Sequence, residues 1–368
     1  MKAFFRWCGA NAMPLIAILA AIVTACFVPP DAAYLGYYDM KTLACLFCVL
    51  AVVMALRGIG LFPMLAQQMI RAFHTTRSVT VALVLITLVG SMLLTNDTAL
   101  LTFLPLSWFV LHEAGQDRLT AIVFVLQNCA ANLGGMLTPF GNPQNLYLFN
   151  HYGIPNRTFI AIMLPPFLLS TAMILLCCLL IRPQPLTVPA QQVRLNSPRT
   201  AAYLLLFCIA VAMVLRAIPY WVGLAVIVTA LLVLDYRALL GVDWGLLITF
   251  AAFFTFSGNM ARIEAVRTLF AQLLTHGTMP VAALTSQIIS NVPAAILLSQ
   301  FTDDYSGVLV GVNIGGAGTL VASLASLITF REYTKHITGQ NGRFMALFSA
   351  ISCSFLAVLL AVMSLLTR

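Results

Sequence analysis

Apolar residues fall into ten long runs, at 14–28, 43–56, 79–94, 119–137, 158–181, 201–215, 219–234, 244–258, 306–330 and 344–366, with short polar connections between them. Most approach or exceed the roughly 20 residues with which a helix crosses about 30 Å of hydrocarbon. The alternation that marks the strands of a membrane barrel is missing from these runs. The pattern predicts an all-α polytopic membrane protein. Two stretches interrupt it. As one helix, residues 79–111 would measure about 50 Å, too long for a single crossing. Thr95, Asn96 and Asp97 lie at its centre and Pro105 follows, so a hairpin folded at Thr95–Asp97 is expected. Non-helical backbone at that depth survives only where protein shields it or where it lines a wet cavity. The tip is therefore expected at a site. The second interruption, "TPFGNPQN" (138–145), cannot continue a helix, and residues 119–148 are expected as a broken one.

Both interruptions occur twice. "TNDTALLTFLPL" (95–106) matches "SNVPAAILLSQF" (290–301). "ANLGGMLTPFGNPQNL" (131–146) matches "VNIGGAGTLVASLASL" (312–327), with N-x-G-G and a following Thr in register. Asp39 ahead of an apolar helix and an amphipathic segment (60–77) is echoed by Asp243 ahead of 244–258 and 259–276. Such order predicts a duplicated fold. The first repeat is 1–181, with hairpin 79–111 and broken helix 119–148. A Pro- and Arg-rich cytoplasmic linker covers 182–199. The second repeat is 200–368, with hairpin 278–302 and broken helix 306–330. The number of crossings between the hairpins is odd, so they are expected to enter from opposite leaflets, as an inverted repeat with about 9 full crossings. Lys2 and Arg6 place the N-terminus in the cytoplasm, which leaves the C-terminus outside. Counting both hairpins as full crossings changes the charge balance little, so length and the polar tips carry that choice.

Composition narrows the class. With 61% hydrophobic and 8% charged residues and a mean hydropathy of +0.98, the chain is no water-soluble globular protein. The net charge of +8 is spread over short connections, as membrane topology requires, and forms no stripe for nucleic acid. The nine cysteines lie mostly inside apolar runs. Cys45–Cys48 has CxxC spacing but no second Cys or His pair nearby, and reads as packing thiols. His74, His112, His151, His276 and His336 are scattered and no HExxH occurs, so no catalytic residue, metal or cofactor is expected. The stretch from Lys2 to "VTAC" reads as an uncleaved first helix rather than a lipoprotein signal.

Paired broken helices in inverted repeats are the architecture of secondary transporters. Half-helix N-termini offer N–H groups and partial positive charge to an anion, and unwound carbonyls offer oxygen to a small cation. Asn96 and Asn291 suit the N-cap position, and Pro293 suits the first turn. The substrate- or ion-binding candidates are Thr95, Asn96, Asp97, Thr98, Asn132, Thr138, Gly141, Asn142, Gln144 and Asn145 in the first repeat. In the second they are Ser290, Asn291, Asn313, Thr319, Ser323 and Ser326. The plainer alternative for the amides is turn chemistry, and for N-x-G-G it is close helix packing. The second break keeps Thr319, Ser323 and Ser326 without the Pro and Asn, so more contacts are expected in the first half. Asp97 at bilayer depth carries a large desolvation penalty when charged, which marks it as the proton-coupling or cation-ligating candidate; its alternative is a cap. Asp39 and Asp243 read as helix-start residues. No Lys or Arg occurs between Val79 and Asp117 or between Arg267 and Arg331. That favours a small oxyanion, a metalloid acid or a monocarboxylate, with citrate-like ligands left open.

From about residue 39 onward, the TND and SNVPA tips and GG-x-x-TPFGNPQN resemble the ion-transporter superfamily of arsenite permeases, citrate-type carriers and dicarboxylate/sulfate symporters. The tips look closer to arsenite permeases and sodium/proton antiporters than to dicarboxylate symporters, whose tips read Ser-Asn-Thr. The resemblance implies a secondary active transporter of a small anion, oxyanion or carboxylate in the cytoplasmic membrane, coupled to Na+ or H+. It also implies scaffold and transport domains, an elevator movement, a possible homodimer and transient Na+ at the tips. The alternatives are an Na+/H+ antiporter and a membrane-embedded protein that transports nothing.

Overall fold

A computed structural model describes residues 12–70, 73–186 and 197–366. Lys2, Arg6, Arg71 and residues 187–196 of the expected linker lie outside them. Regular structure among the described residues is helical, apart from one isolated bridge between Thr75 and Pro185. Among the described residues six stretches are long and apolar enough to span a membrane: Met40–Gly58, Thr76–Leu93, Asp117–Leu137, Asn156–Leu179, Trp244–Arg262 and Asn341–Leu366. The protein is a multi-pass membrane protein.

The first half runs α1 (Ala12–Phe27), α2 (Met40–Gly58), α3 (Leu61–Ile70), α4 (Thr76–Leu93), α5 (Asn96–Glu113), α6 (Thr120–Gly134), α7 (Pro143–His151) and α8 (Asn156–Leu179). The second runs α9 (Ser197–Val214), α10 (Tyr220–Leu234), α11 (Tyr236–Leu240), α12 (Trp244–Arg262), α13 (Glu264–Leu274), α14 (Thr278–Ile289), α15 (Asn291–Leu298), α16 (Tyr305–Ile314), α17 (Leu324–His336) and α18 (Asn341–Leu366). From α2 the order is long helix, short helix, hairpin, broken helix, long helix. From α12 the same order returns. Asp39 and Asp243 start the two long helices in the same way, accepting from the Thr42 and Leu246 amides at 2.9 Å.

The α4–α5 hairpin breaks at Leu94, where the backbone turns extended, and Thr95 then caps α5 by accepting from the Thr98 amide. The cap thus falls one residue before the expected Asn96. Ser290 likewise precedes α15 ahead of Asn291, with a positive φ of 74° and no side-chain cap bond. Both asparagine amides are left for other contacts. Pro105 does not end the outgoing arm. It removes the bond to the Leu101 carbonyl, and Arg57 from the end of α2 takes that oxygen at 3.3 Å. The arms lie close together: a Cβ on Gly90 would run into the Phe103 ring.

The recurring order of elements extends to single contacts. Each tip amide donates to the break of its own broken helix, Asn96 to the Gly141 carbonyl at 3.1 Å and Asn291 to the Ala322 carbonyl at 2.9 Å. Thr138 ties its break to the Met92 carbonyl, and Thr319 ties the other to the Gln287 carbonyl. A Cβ at Gly134 would press on Leu88 and Ser91, and one at Gly315 on the matching Ala283 and Ser286. N-x-G-G therefore lets each broken helix approach the incoming arm of its hairpin.

Contacts also sort the helix ends. Thr76 and Arg77 bond the Ile181–Gln184 stretch, Arg118 bonds Gln184, and Trp108 stacks between His112 and His336. Other ends gather separately, with Asp31 on Arg262, Arg216 on the Phe149, Gly153 and Ile154 carbonyls, and Tyr152 on Thr302. Cys45, Cys48, Cys129 and Cys178 are fully buried in the main apolar core.

Candidate substrate site

The four half-helices after the breaks, α5, α7, α15 and α17, all start at one cavity of about 170 Å³. Asn96, Asp97, Pro143, Gln144, Ser290, Asn291, Ser323 and Leu324 line it from those starts. A helix start carries roughly half a positive charge and unpaired N–H groups, so four of them favour an anion at their meeting point. From outside the repeated motifs come Met13 and Pro14 of α1, Asp243 and Thr249, and Arg331.

An amide network fixes this meeting point. Asn132 Oδ1 accepts from Asn96 Nδ2 at 3.2 Å and from Ser323 Oγ at 2.7 Å, so it holds the first tip to the second break. Asn313, its counterpart, accepts from Asn142 Nδ2 at 3.1 Å and Gln144 Nε2 at 3.3 Å, and donates to Asn145 Oδ1 at 2.6 Å. Each N-x-G-G asparagine thus grips the break of the other repeat. Asn128 adds Ser326 and Thr329 to the same web.

The breaks present fewer free carbonyls than unwound backbone suggests. Asn145 Nδ2 donates to the Gly135, Met136 and Thr138 carbonyls. In the second repeat Ser326 replaces that asparagine, and Gln287 does its work from α14, donating to Gly315 and Ala317. Among the buried side-chain oxygens without a hydrogen-bond partner in the described residues, four belong to the first tip and the first break: Asn96 Oδ1, Asp97 Oδ1, Asn142 Oδ1 and Gln144 Oε1. Three of these four residues line the cavity. Their Nδ2 or Nε2 groups are already engaged, so Asn96 and Gln144 offer acceptors to a ligand that donates or carries positive charge.

Of the sixteen candidates, Asn96, Asp97, Gln144, Ser290, Asn291 and Ser323 line the cavity. Asn132, Asn142, Asn145, Asn313 and Ser326 are buried in the network that holds it. Thr95 and Thr98 bond each other at the first tip, the Gly141 carbonyl receives Asn96, and Thr138 and Thr319 anchor the breaks. Asp243, Arg331, Thr249, Asn128 and Gln287 were not among the candidates. Asp243 was read as a helix start, which it is, and its carboxylate also faces the cavity.

A protein-family model described as citrate transporter matches residues 5–304. The chain belongs to that family. An uncharacterised transporter of Methanocaldococcus jannaschii is 30% identical over 331 residues, covering 88% of this chain and 89% of the relative. The inner membrane protein YbiR of Escherichia coli is 30% identical over 329 residues, covering 85% and 86%. A silicon efflux transporter of Oryza sativa is 31% identical over 168 residues, which are 44% of this chain and 34% of that one. This member of the citrate transporter family is therefore a membrane transporter and not an enzyme.

Proposed function

We propose that the protein is a secondary active transporter that moves a small anion, oxyanion or carboxylate across the cytoplasmic membrane by alternating access, coupled to H+ or Na+. The observation that carries this is the convergence of four half-helix starts on one cavity, with unpartnered oxygens beside them. Helix starts attract the anion, and oxygens suit its hydroxyl groups or a co-bound cation. Duplicated contacts support two hairpins entering from opposite leaflets. The sorted helix ends support nine full crossings, with the N-terminus and the 182–199 linker cytoplasmic and the C-terminus outside. Residues 1–181 and 200–368 are then the two inverted repeats.

Arg331 revises the expected charge of the site, since the binding region was read as lacking basic residues. A guanidinium at the rim widens the range to carboxylates with more than one charge. Flux in proteoliposomes tests the proposal. Uptake of labelled citrate, arsenite or silicate should follow an imposed pH or Na+ gradient. Na+-for-H+ exchange with no anion moved would favour an antiporter, and no flux of any of these would refute transport of this class. Asp97→Asn should abolish proton-driven uptake while leaving the folded protein intact; unchanged coupling would remove Asp97 from the coupling step.

A further inference from the structure

Two cavities lie on matching sides of the duplicated fold. The first faces Asp243, the start of α12. The second, of about 310 Å³, faces Asp39, the equivalent start of α2, and is lined by Tyr147, Asn150 and His151 among others. Asn150 occupies in its broken helix the place Arg331 holds in the other. Between them, Tyr147 and Ser299 close α7 against α15 through a 2.7 Å bond. The two sides differ in one respect. Both hairpin tips line the cavity at Asp243 and neither lines the cavity at Asp39; at equivalent positions the tips carry Asp97 and Val292.

We propose that Asp243 is the second member of a carboxylate pair with Asp97, and that the pair holds a single proton while α12 and the first hairpin share the cavity. The two carboxylate residues line the same small space of about 170 Å³. Among the described residues lining the cavity, the other charged group is Arg331, on α17; α1, α7 and α15 contribute none. Asn96 and Gln144, 3% and 1% exposed, line the same cavity, and their side-chain oxygens have no hydrogen-bond partner among the described residues, so acceptors suited to a proton or a positive charge stand beside the pair. Like charges facing one small space favour a shared proton, as in other carboxylate dyads.

The consequence deepens the transport proposal and rests on it for its meaning. Helix starts and Arg331 accommodate negative charge, and two ionised carboxylates occupy that capacity. One proton on the pair makes room for a substrate anion. Movement of the hairpin away from α12 separates the pair and releases the proton. Val292, at the equivalent position of the second tip, lines the same cavity and adds no acid there, so the pair forms from Asp97 and Asp243 alone.

A hydrophobic carbodiimide, which modifies protonated carboxyls, tests this without any flux, so failure here and failure of transport are told apart. Modification of Asp97 is read by peptide mass spectrometry on the full chain. At neutral pH the wild type should be modified at Asp97, and Asp243→Asn should reduce that modification about tenfold, the effect of roughly one pH unit. Asn and Ser both cap a helix, so Asp243→Asn and Asp243→Ser keep the α12 start. Asp243→Glu should restore modification to within about twofold of wild type. Equal Asp97 modification in wild type and both neutral variants would overturn the pair, and so would a wild type unmodified at Asp97 at every pH.

Discussion

Replacing Asn313 by alanine removes the side chain through which the second repeat holds the first. Its Oδ1 is the partner of Gln144 Nε2, and its Nδ2 fills Asn145 Oδ1. Both groups are buried, Gln144 at 1% and Asn145 at 0% exposure. Asn142 Nδ2 keeps its second bond, to the Asn132 carbonyl at 3.1 Å, and is not orphaned. Two buried polar groups left without partners cost about 1–3 kcal/mol each, so the variant should lose about 2–6 kcal/mol. With the exposed Cys26, Cys208 and Cys353 replaced by serine, a maleimide dye suits the assay, because Cys45, Cys48, Cys129 and Cys178 are buried and react only on unfolding. The thermal midpoint of Asn313→Ala in detergent should fall by several degrees. Thr319→Ala, at an exposed position with a 3.2 Å hydroxyl bond, should stay within about 1 kcal/mol of wild type. Equal midpoints for the two variants would refute the structural role given to Asn313.

Ser290 holds a positive φ that glycine adopts freely, so Ser290→Gly should be more stable than Ser290→Ala by about 1–3 kcal/mol in the same thermal assay. Gly90→Leu should separate the hairpin arms at Phe103 and lower the yield of folded protein, measured by size exclusion. Hydrogen bonds from Arg262 hold the exposed Asp31 carboxyl below the usual carboxylate range. A depressed folded value means the contact stabilises above the unfolded value and is lost only as pH falls through the folded one. Hydrogen exchange of the Ala32–Tyr37 turn should therefore stay slow through pH 4 to 5 and quicken only under stronger acid, whereas Asp31→Asn should exchange fast at pH 7.

Much of the fold was legible because polar residues stand out in apolar runs. Thr95–Asp97 and Ser290–Asn291 mark both hairpin breaks, and "TPFGNPQN" marks the first broken helix. The second broken helix lacks Pro and Asn, and was found through its register with the first. Pro105 sits inside the outgoing arm without ending it, because Arg57 on another helix takes the carbonyl it frees. The site was legible in its tips and less so in its walls. Asp243 and Arg331 lie beyond the matched tip and break motifs, one at the start of α12 and the other late in α17, and charge read in sequence windows passed over them. Gln287 was missed for a related reason: it does the work of Asn145 from the hairpin, so matching residue for residue did not reveal it.

Two hairpins that meet from opposite leaflets are the centre of the account, and the sidedness of their outer ends tests it most directly. Asp117, after the first hairpin, and Asp303, after the second, should be replaced singly by cysteine in a chain freed of its other cysteines. An impermeant thiol reagent applied to intact cells should label Asp303→Cys and spare Asp117→Cys until the membrane is opened. Labelling of both positions from the same side would contradict the inverted arrangement.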